Sequence, residues 1–224
     1  MRTQFVSRAQ RQTNDKPTRL RSIAGCGRAM KQETSEASRR LWDTYNYFEI
    51  YRTRFDQREC NKIINPHHQN HLVQSKISST QGRTLRDSDI FWIPRAADTD
   101  WIFSRLWDLV SLYNSKYNFE LSSNLGQAQL TRYQPGQHYE WHMDLGSGPP
   151  SLRKITAVVA LTSNQSVKGG GIEIFYGQSA ENKVNLDTGD VVLFPSFVMH
   201  RASMVDSGTR WSLVLWFNGT RTLR

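Results

Sequence analysis

The chain has 224 residues, of which 38% are hydrophobic, 11% aromatic and 22% charged. This composition is typical of a soluble globular protein, and a chain of this length can bury a sizeable core. No apolar run is long enough to span a bilayer, so no membrane partner is expected. Two cysteines, Cys26 and Cys60, are too few for a disulfide framework, which favours a reducing, cytoplasmic location.

The net charge of +9 is concentrated at one end of the chain. Residues 1–40 carry ten Lys or Arg and three Asp or Glu, whereas residues 41–224 have a net charge of only +2. We expect residues 1–40 to form a basic, disordered segment and 41–224 to form one domain. Transit-peptide function and a true start at Met30 stay open as alternatives. The balanced charge of the domain argues against a nucleic-acid partner.

The first part of the predicted domain mixes strands and helices. Residues 45–55 predict a strand, and Asp56 followed by Glu59 predicts a capping box at a helix start. Residues 65–71, which include three histidines, read as an exposed polar loop, and 88–94 predict another strand. A helix is then expected to begin near Asp98 or Thr99 and to bury one apolar face. That face comprises Ile102, Phe103, Leu106, Leu109, Val110 and Tyr113.

The second part of the domain is a succession of short apolar segments separated by turn residues. These predicted strands are 128–134, 138–144, 155–162, 171–177, 183–186, 190–196 and 211–219. A sandwich or a jelly-roll barrel would close such a set of antiparallel strands. The expected fold is therefore an all-β core, a double-stranded β-helix or cupin-like jelly roll, with flanking N-terminal α-helices.

A histidine and an aspartate in the segment YEWHMDL, residues 139–145, are separated by one residue. In a strand His142 and Asp144 point to the same face, although they could equally be a strand-end pair that only share a hydrogen bond. His200 ends an apolar strand and could supply a third ligand at a barrel mouth. Two histidines and a carboxylate suit Fe(II) in an oxygenase, and zinc would accept the same ligands.

Arg210 lies shortly after His200, across the turn VDSGT. We expect a hairpin to fold this arginine back beside the strand of His200. A fixed guanidinium suits the far carboxylate of a metal-chelating keto acid, and Ser212 on the same face could donate a further hydrogen bond. Taken alone, Arg210 would rather be read as part of an ordinary hairpin salt bridge.

Together, His142, Asp144, His200 and Arg210 resemble the active-site set of 2-oxoglutarate/Fe(II)-dependent oxygenases. The frame RYQPGQHYEWHMD is similar to the prolyl 4-hydroxylase-like, PKHD-type branch of that superfamily, and the resemblance extends over roughly residues 45–218. It implies that the two histidines and the aspartate bind Fe(II). It also implies that Arg210 grips the distal carboxylate of 2-oxoglutarate.

The resemblance assigns further roles to aromatic residues. Tyr133 matches a tyrosine that supports the cosubstrate, whereas Tyr139 and Trp216 match positions on the substrate side of the pocket. For Trp216, core packing is an equal alternative. A threonine that often contacts the cosubstrate in the family falls here on Ile172 or Glu173, which puts that contact in doubt.

The reaction implied by the resemblance is hydroxylation of an unactivated C–H bond with O₂, Fe(II) and 2-oxoglutarate; ascorbate is a further candidate cofactor. Asp144 favours hydroxylation over halogenation, because a small residue there would open a coordination site for halide. The first candidate substrate is a peptidyl residue such as proline, with a free amino acid or small metabolite as the alternative. Nucleobase demethylation is disfavoured, since a second arginine would be expected where Trp216 stands. A non-catalytic jelly-roll binding module stays open as a different class.

Overall fold

A computed structural model describes residues 47–175 and 183–223. The predictions for residues 1–40, including Met30 and the basic segment, lie outside the described residues. The same holds for the start of the predicted strand 45–55 and the end of the predicted strand 171–177.

The described residues form three α-helices, one 3₁₀ helix and thirteen strands. The helices are α1 (Gln57–Ile63), α2 (Pro66–Asn70) and α3 (Asp100–Asn114), and the 3₁₀ helix is Pro149–Leu152. The first six strands are β1 (Glu49–Tyr51), β2 (Val73–Ser78), β3 (Thr84–Ile93), β4 (Ala128–Tyr133), β5 (His138–His142) and β6 (Arg153–Ala160). The remaining strands are β7 (Lys168–Gly169), β8 (Ile172–Ile174), β9 (Lys183–Val184), β10 (Val191–Pro195), β11 (His200–Ala202), β12 (Val205–Ser207) and β13 (Arg210–Asn218). Among these helices none is long and apolar enough to cross a bilayer.

Eleven of the strands form one curled antiparallel sheet. Its order is β1-β10-β6-β13-β4-β3-β5-β11-β8-β9, with β2 paired to β3, while β7 and β12 form a separate pair. Many neighbours in this order are far apart in sequence, as when β1 pairs with β10 and β5 with β11. This arrangement confirms the predicted jelly-roll fold with helices outside an all-β core.

Strand β13 separates the hydrophobic core from a cavity inside the curl of the sheet. Its side chains alternate between the two faces, as expected for a strand. The core side carries Trp211, Leu213, Leu215 and Phe217. The cavity side carries Arg210, Ser212, Val214 and Trp216.

Helix α1 begins at the predicted capping box. Asp56 accepts a hydrogen bond from the Glu59 amide, and the Glu59 carboxylate accepts one from the Asp56 amide. Glu59 also accepts two hydrogen bonds from Arg105 of α3, which joins the two helices. Helix α3 begins after Thr99, as predicted, and of its expected apolar face only Leu109 is not fully buried.

Two predictions for the first part of the domain are wrong. From residue 47 on, where the description begins, the strand expected over 45–55 comprises only the three residues of β1. The chain turns at Thr53, whose φ is +49°, and the amides of Arg54 and Phe55 then donate to the Gly189 carbonyl. The expected exposed loop over 65–71 contains helix α2.

Helix α2 also buries one of the three histidines. Asn65 caps the helix and Pro66 occupies its first turn, a recognised start signal that could have identified it. The His68 ring bonds to the Ile63 carbonyl at 2.7 Å and stacks on Phe91. Packing thus holds this ring against the sheet.

Candidate metal and cosubstrate site

The three predicted metal ligands meet at one end of the cavity. His142 ends β5, Asp144 follows it, and His200 begins β11, where it is the direct cross-strand partner of His142. The Nε2 atoms of His142 and His200 lie 3.8 Å and 3.5 Å from the Asp144 carboxylate oxygens. One ligand atom from each residue lies within 4.8 Å of the others. Such spacing lets three donors converge on one ion.

Backbone carbonyls hold both imidazole rings in a defined orientation. Nδ1 of His142 lies 2.7 Å from the Glu140 carbonyl, and Nδ1 of His200 lies 2.9 Å from the Val198 carbonyl. Since a carbonyl only accepts, each Nδ1 is the donor in its hydrogen bond, which directs Nε2 of each ring toward a metal. Burial, together with the neighbouring His200, lowers the pKa of His142 to about 4, which keeps this ring neutral near pH 7.

The Asp144 carboxylate is 8% exposed and fixed by a chain of hydroxyl groups. Thr156 donates to its Oδ2 at 2.8 Å, and the Thr156 hydroxyl lies 2.9 Å from that of Ser196. Burial alone would raise the pKa of Asp144, but His200 and His142 outweigh that effect and lower it. The Trp216 N–H lowers this pKa further, although it makes no hydrogen bond of good geometry among the described residues.

Arg210 lines the same cavity, but the predicted hairpin is not what places it there. The expected hairpin beside the strand of His200 is absent: β13 pairs with β4 and β6, and Arg210 is the partner of Tyr133 on β4. Arg210 donates to the Ser212 hydroxyl at 3.3 Å, and its guanidinium carbon lies 5.3 Å from the centre of the Tyr133 ring. Over residues 47–175 and 183–223 it has no acidic partner, so the alternative of an ordinary salt bridge is not what the structure shows. Burial lowers the pKa of Arg210.

The other residues predicted for the site also line this cavity of about 240 Å³. Tyr133 and Ser212 lie at the Arg210 end, and the Tyr139 ring stacks on His142 at a centroid distance of 3.5 Å. Trp216 faces the cavity and not the main core.

The family's threonine position is filled differently in this chain. Of the two residues between which the sequence could not decide, Ile172 lines the cavity. Glu173 instead forms an ion pair with Arg201 at 2.8 Å. The apolar Ile172 side chain cannot donate the hydrogen bond of a threonine.

Sequence reasoning missed several residues of the site, above all Arg86, Arg153 and Gln129, which line the cavity, and Thr156, which bonds to Asp144. Arg86 lies in a polar stretch that was not predicted to be a strand. Arg153 precedes an apolar strand like many surface arginines. Only the alternation of β4 and β6 could have assigned Gln129 and Thr156 to the inner face.

Comparisons with known proteins agree with this geometry. Residues 128–218 match the family described as the 2OG-Fe(II) oxygenase superfamily. Within this matched segment the chain resembles that superfamily. It is also similar to PKHD-type hydroxylases, one from a Psychrobacter species (35% identical over 92 residues) and one from a Synechococcus species (29% over 99 residues). These matches cover 39% and 44% of this chain and 36% and 45% of the relatives, so the chain matches less than half the length of these curated relatives.

Solved structures share the fold of this chain at low sequence identity. A Pseudomonas putida prolyl-4-hydroxylase superposes with a TM-score of 0.62 at 20% identity, covering 78% of this chain and 94% of that one. A Trichoplax adhaerens prolyl hydroxylase, solved with a hypoxia inducible factor peptide fragment, superposes with a TM-score of 0.60 at 20% identity and covers 84% and 92%. At this identity the superpositions show the fold alone, and the support for the predicted prolyl 4-hydroxylase-like, PKHD-type branch comes from the matched segment of the sequence.

Proposed function

We propose that this protein is an Fe(II)- and 2-oxoglutarate-dependent oxygenase that hydroxylates an unactivated C–H bond. The observation that carries the proposal is a guanidinium without a described acidic partner, Arg210, in the same cavity as a converging His–Asp–His cluster. A partly buried charge without a counter-ion is unfavourable, so the presence of this one indicates an anionic ligand.

The three donors fit a ferrous ion. Two neutral imidazoles and one carboxylate form the facial ligand set of non-haem iron oxygenases, which leaves further positions open to other ligands. His142, Asp144 and His200 would bind the ion through Nε2, a carboxylate oxygen and Nε2. Zinc accepts the same donors, and it is the unpaired Arg210 that favours the keto-acid-dependent iron chemistry.

The residues around Arg210 fit the distal carboxylate of 2-oxoglutarate. The guanidinium can form two parallel hydrogen bonds to that carboxylate, and the hydroxyl groups of Tyr133 and Ser212 can donate further ones. Burial raises the pKa of Tyr133, so its hydroxyl keeps a proton to donate. Ile172 offers only apolar contact at the place where the family often has threonine.

When bound, the iron, 2-oxoglutarate and O₂ supply the oxidising chemistry that converts a C–H bond to C–OH while the keto acid becomes succinate and CO₂. The protein contributes orientation. Thr156 holds the Asp144 carboxylate in place, Tyr139 stacks on His142, and Trp216 lies on the wall of the cavity that would face the substrate.

The substrate is proposed to be a peptidyl residue, such as proline, or an amino-acid-sized small molecule. The prolyl hydroxylases among the structural neighbours support a peptidyl substrate. The peptide in the Trichoplax structure is a ligand of that enzyme. A cytoplasmic location stays a proposal that rests on the low cysteine content. Ascorbate as a further cofactor is a separate proposal, which rests on the family resemblance.

Succinate formation tests this proposed function. With Fe(II) and O₂, the full-length protein should convert 2-oxoglutarate to succinate, and Asp144→Ala should abolish that conversion together with metal binding. Arg210→Ala should raise the KM for 2-oxoglutarate by about 100-fold, because it removes a charge-assisted bidentate contact, whereas Arg210→Lys should recover part of it.

A matched control is Arg132→Gln, since Arg132 pairs with Asp89 away from the cavity lining. This variant should keep the wild-type KM. A protein that binds neither iron nor 2-oxoglutarate would instead be a non-catalytic binding module, and the proposed activity would be wrong.

A further inference from the structure

Three more arginines line the cavity, and two of them, Arg86 and Arg153, have no carboxylate within ion-pair distance among the described residues. Arg86, on β3, is 8% exposed. Its Nε donates to the Ser88 hydroxyl and its Nη2 to the Gln129 amide oxygen, both at 2.9 Å. Its guanidinium carbon lies 4.9 Å from the centre of the Tyr139 ring. All these partners are neutral, so the positive charge is oriented but not compensated.

Arg153 is the first residue of β6, and it pairs with Asn218 at the end of β13 that is opposite to Arg210. It donates from Nη1 to the Asp144 backbone carbonyl at 3.2 Å, and its guanidinium carbon stacks 3.9 Å above the Trp216 ring. Burial lowers the pKa of Arg153. Its hydrogen bond to the Asp144 carbonyl uses only one of its five N–H donors, so most of these donors have no partner among the described residues.

Other arginines of the same sheet do have carboxylate partners. Arg132 pairs with Asp89 at 3.1 Å, and Arg201 pairs with Glu173 at 2.8 Å. Of the four arginines that line the cavity, Arg201 is thus neutralised by Glu173, whereas Arg86, Arg153 and Arg210 have no such partner among the described residues.

The charges inside the cavity do not balance even when the proposed iron and cosubstrate are counted. A ferrous ion and the 2-oxoglutarate dianion cancel each other. Of the remaining groups, Asp144 offsets one of the three unpaired arginines, which leaves about two positive charges. In a cavity lined by these groups, an excess of positive charge favours an anionic substrate over a neutral one of the same shape.

We propose that the primary substrate bears a free carboxylate, which Arg153 and Arg86 bind beside the Tyr139 ring. This inference rests on the proposed oxygenase function and narrows its substrate. It favours a free amino acid or a similar small carboxylic acid over an internal residue of a peptide, whose backbone amides are neutral. Two aromatic rings would pack against the apolar part of that molecule. They are Trp216, which stacks on Arg153, and Tyr139, which stacks on His142.

Matched acid and amide ligands test the substrate class. The full-length protein, loaded with Mn(II) and 2-oxoglutarate without O₂, is titrated with the twenty free amino acids, their C-terminal amides, and short peptides with each residue internal. At least one acid should bind about 100-fold more tightly than its amide and its peptide. With Fe(II) and O₂ the same acid should increase succinate release and yield a hydroxylated product.

Two substitutions identify the residues responsible. Arg153→Gln and Arg86→Gln should each weaken binding of that acid by about 10- to 100-fold and so reduce the preference for acid over amide, and Arg153→Lys should restore part of it. Arg132→Gln, the paired control, should retain the full preference. Since the acid–amide comparison is made first on the wild type, it does not depend on whether a variant folds.

The outcomes separate this inference from the proposed function. If 2-oxoglutarate binds and is turned over, yet no acid in the panel binds more tightly than its amide or peptide, the carboxylate-bearing substrate is wrong and the oxygenase stands. If neither metal nor 2-oxoglutarate binds, both are wrong.

Discussion

At the scale of single residues, the hydroxyl of Thr156 orients the carboxylate of Asp144, the proposed metal ligand. The carboxylate has two oxygens, and a hydrogen bond to Oδ2 fixes how the group is rotated. Partners of this kind affect metal affinity although they never touch the ion. Thr156 is thus a positioning residue with a testable consequence.

Thr156→Val removes this hydrogen bond and leaves the side-chain volume nearly unchanged. We expect Mn(II) or Fe(II) to bind about 10- to 100-fold more weakly, with little loss of secondary structure. Isothermal titration with Mn(II) measures the first quantity and circular dichroism the second.

The control for this substitution is Thr220→Val. Thr220 also donates to a carboxylate, that of Glu120, but both residues are exposed and away from the cavity. Equal metal affinity in the Thr156 variant and the wild type would show that Asp144 is held by its own surroundings and not by the hydroxyl.

At the scale of elements, a glycine turn fixes where β10 begins relative to β1 and α1. Gly189 has a φ of +84°, and its carbonyl accepts hydrogen bonds from the amides of Arg54 and Phe55. A Cβ at this position would lie 1.7 Å from the Phe55 carbonyl oxygen. The two segments can approach each other only because position 189 has no side chain.

Gly189→Ala should therefore destabilise the protein strongly, by about 3 kcal/mol or more, since backbone must move to relieve the overlap. Gly136→Ala is the matched control: φ is +86° there too, but nothing lies within 4 Å of the added Cβ. It should lose only about 1 kcal/mol, the intrinsic penalty of that backbone conformation. Urea unfolding measures both, and similar losses would mean that the close approach at Phe55 is unimportant.

The elements also show which parts of the fold the sequence could predict. Helix α1 was predictable because Asp56 and Glu59 form a local signal, and the alternation of β13 was visible in its own residues. Strand β2 was missed because it pairs only with β3 and is mostly exposed, so its polar sequence has no apolar period. The partner strands of Arg210 could not be predicted, because β13 pairs with strands distant in sequence.

At the scale of the whole molecule, the buried thiol of Cys60 reports on unfolding. Cys60 is 0% exposed, and burial, followed by the charges of Glu59 and Asp56, raises its pKa to about 11. Because the thiolate is the reactive form, this cysteine should be inert in the folded protein near pH 8.

In a Cys26→Ser variant, labelling of Cys60 at pH 8 should proceed only through unfolding. Its rate should rise steeply across the denaturant transition, as measured with a chromogenic disulfide reagent. From the raised pKa, the folded protein should also lose stability as the pH rises above about 9, where the unfolded thiol ionises first. Rapid labelling without denaturant would show that α1 opens locally.

The two-faced strand β13 has a consequence for how this protein can change. Deleting a single residue just after Arg210 would turn Leu213, Leu215 and Phe217 toward the cavity and would turn Val214 and Trp216 toward the hydrophobic core. Substitutions can tune either side separately, but insertions and deletions within the strand would damage both at once. Variation in length among homologous chains should consequently be confined to the turns on either side of it.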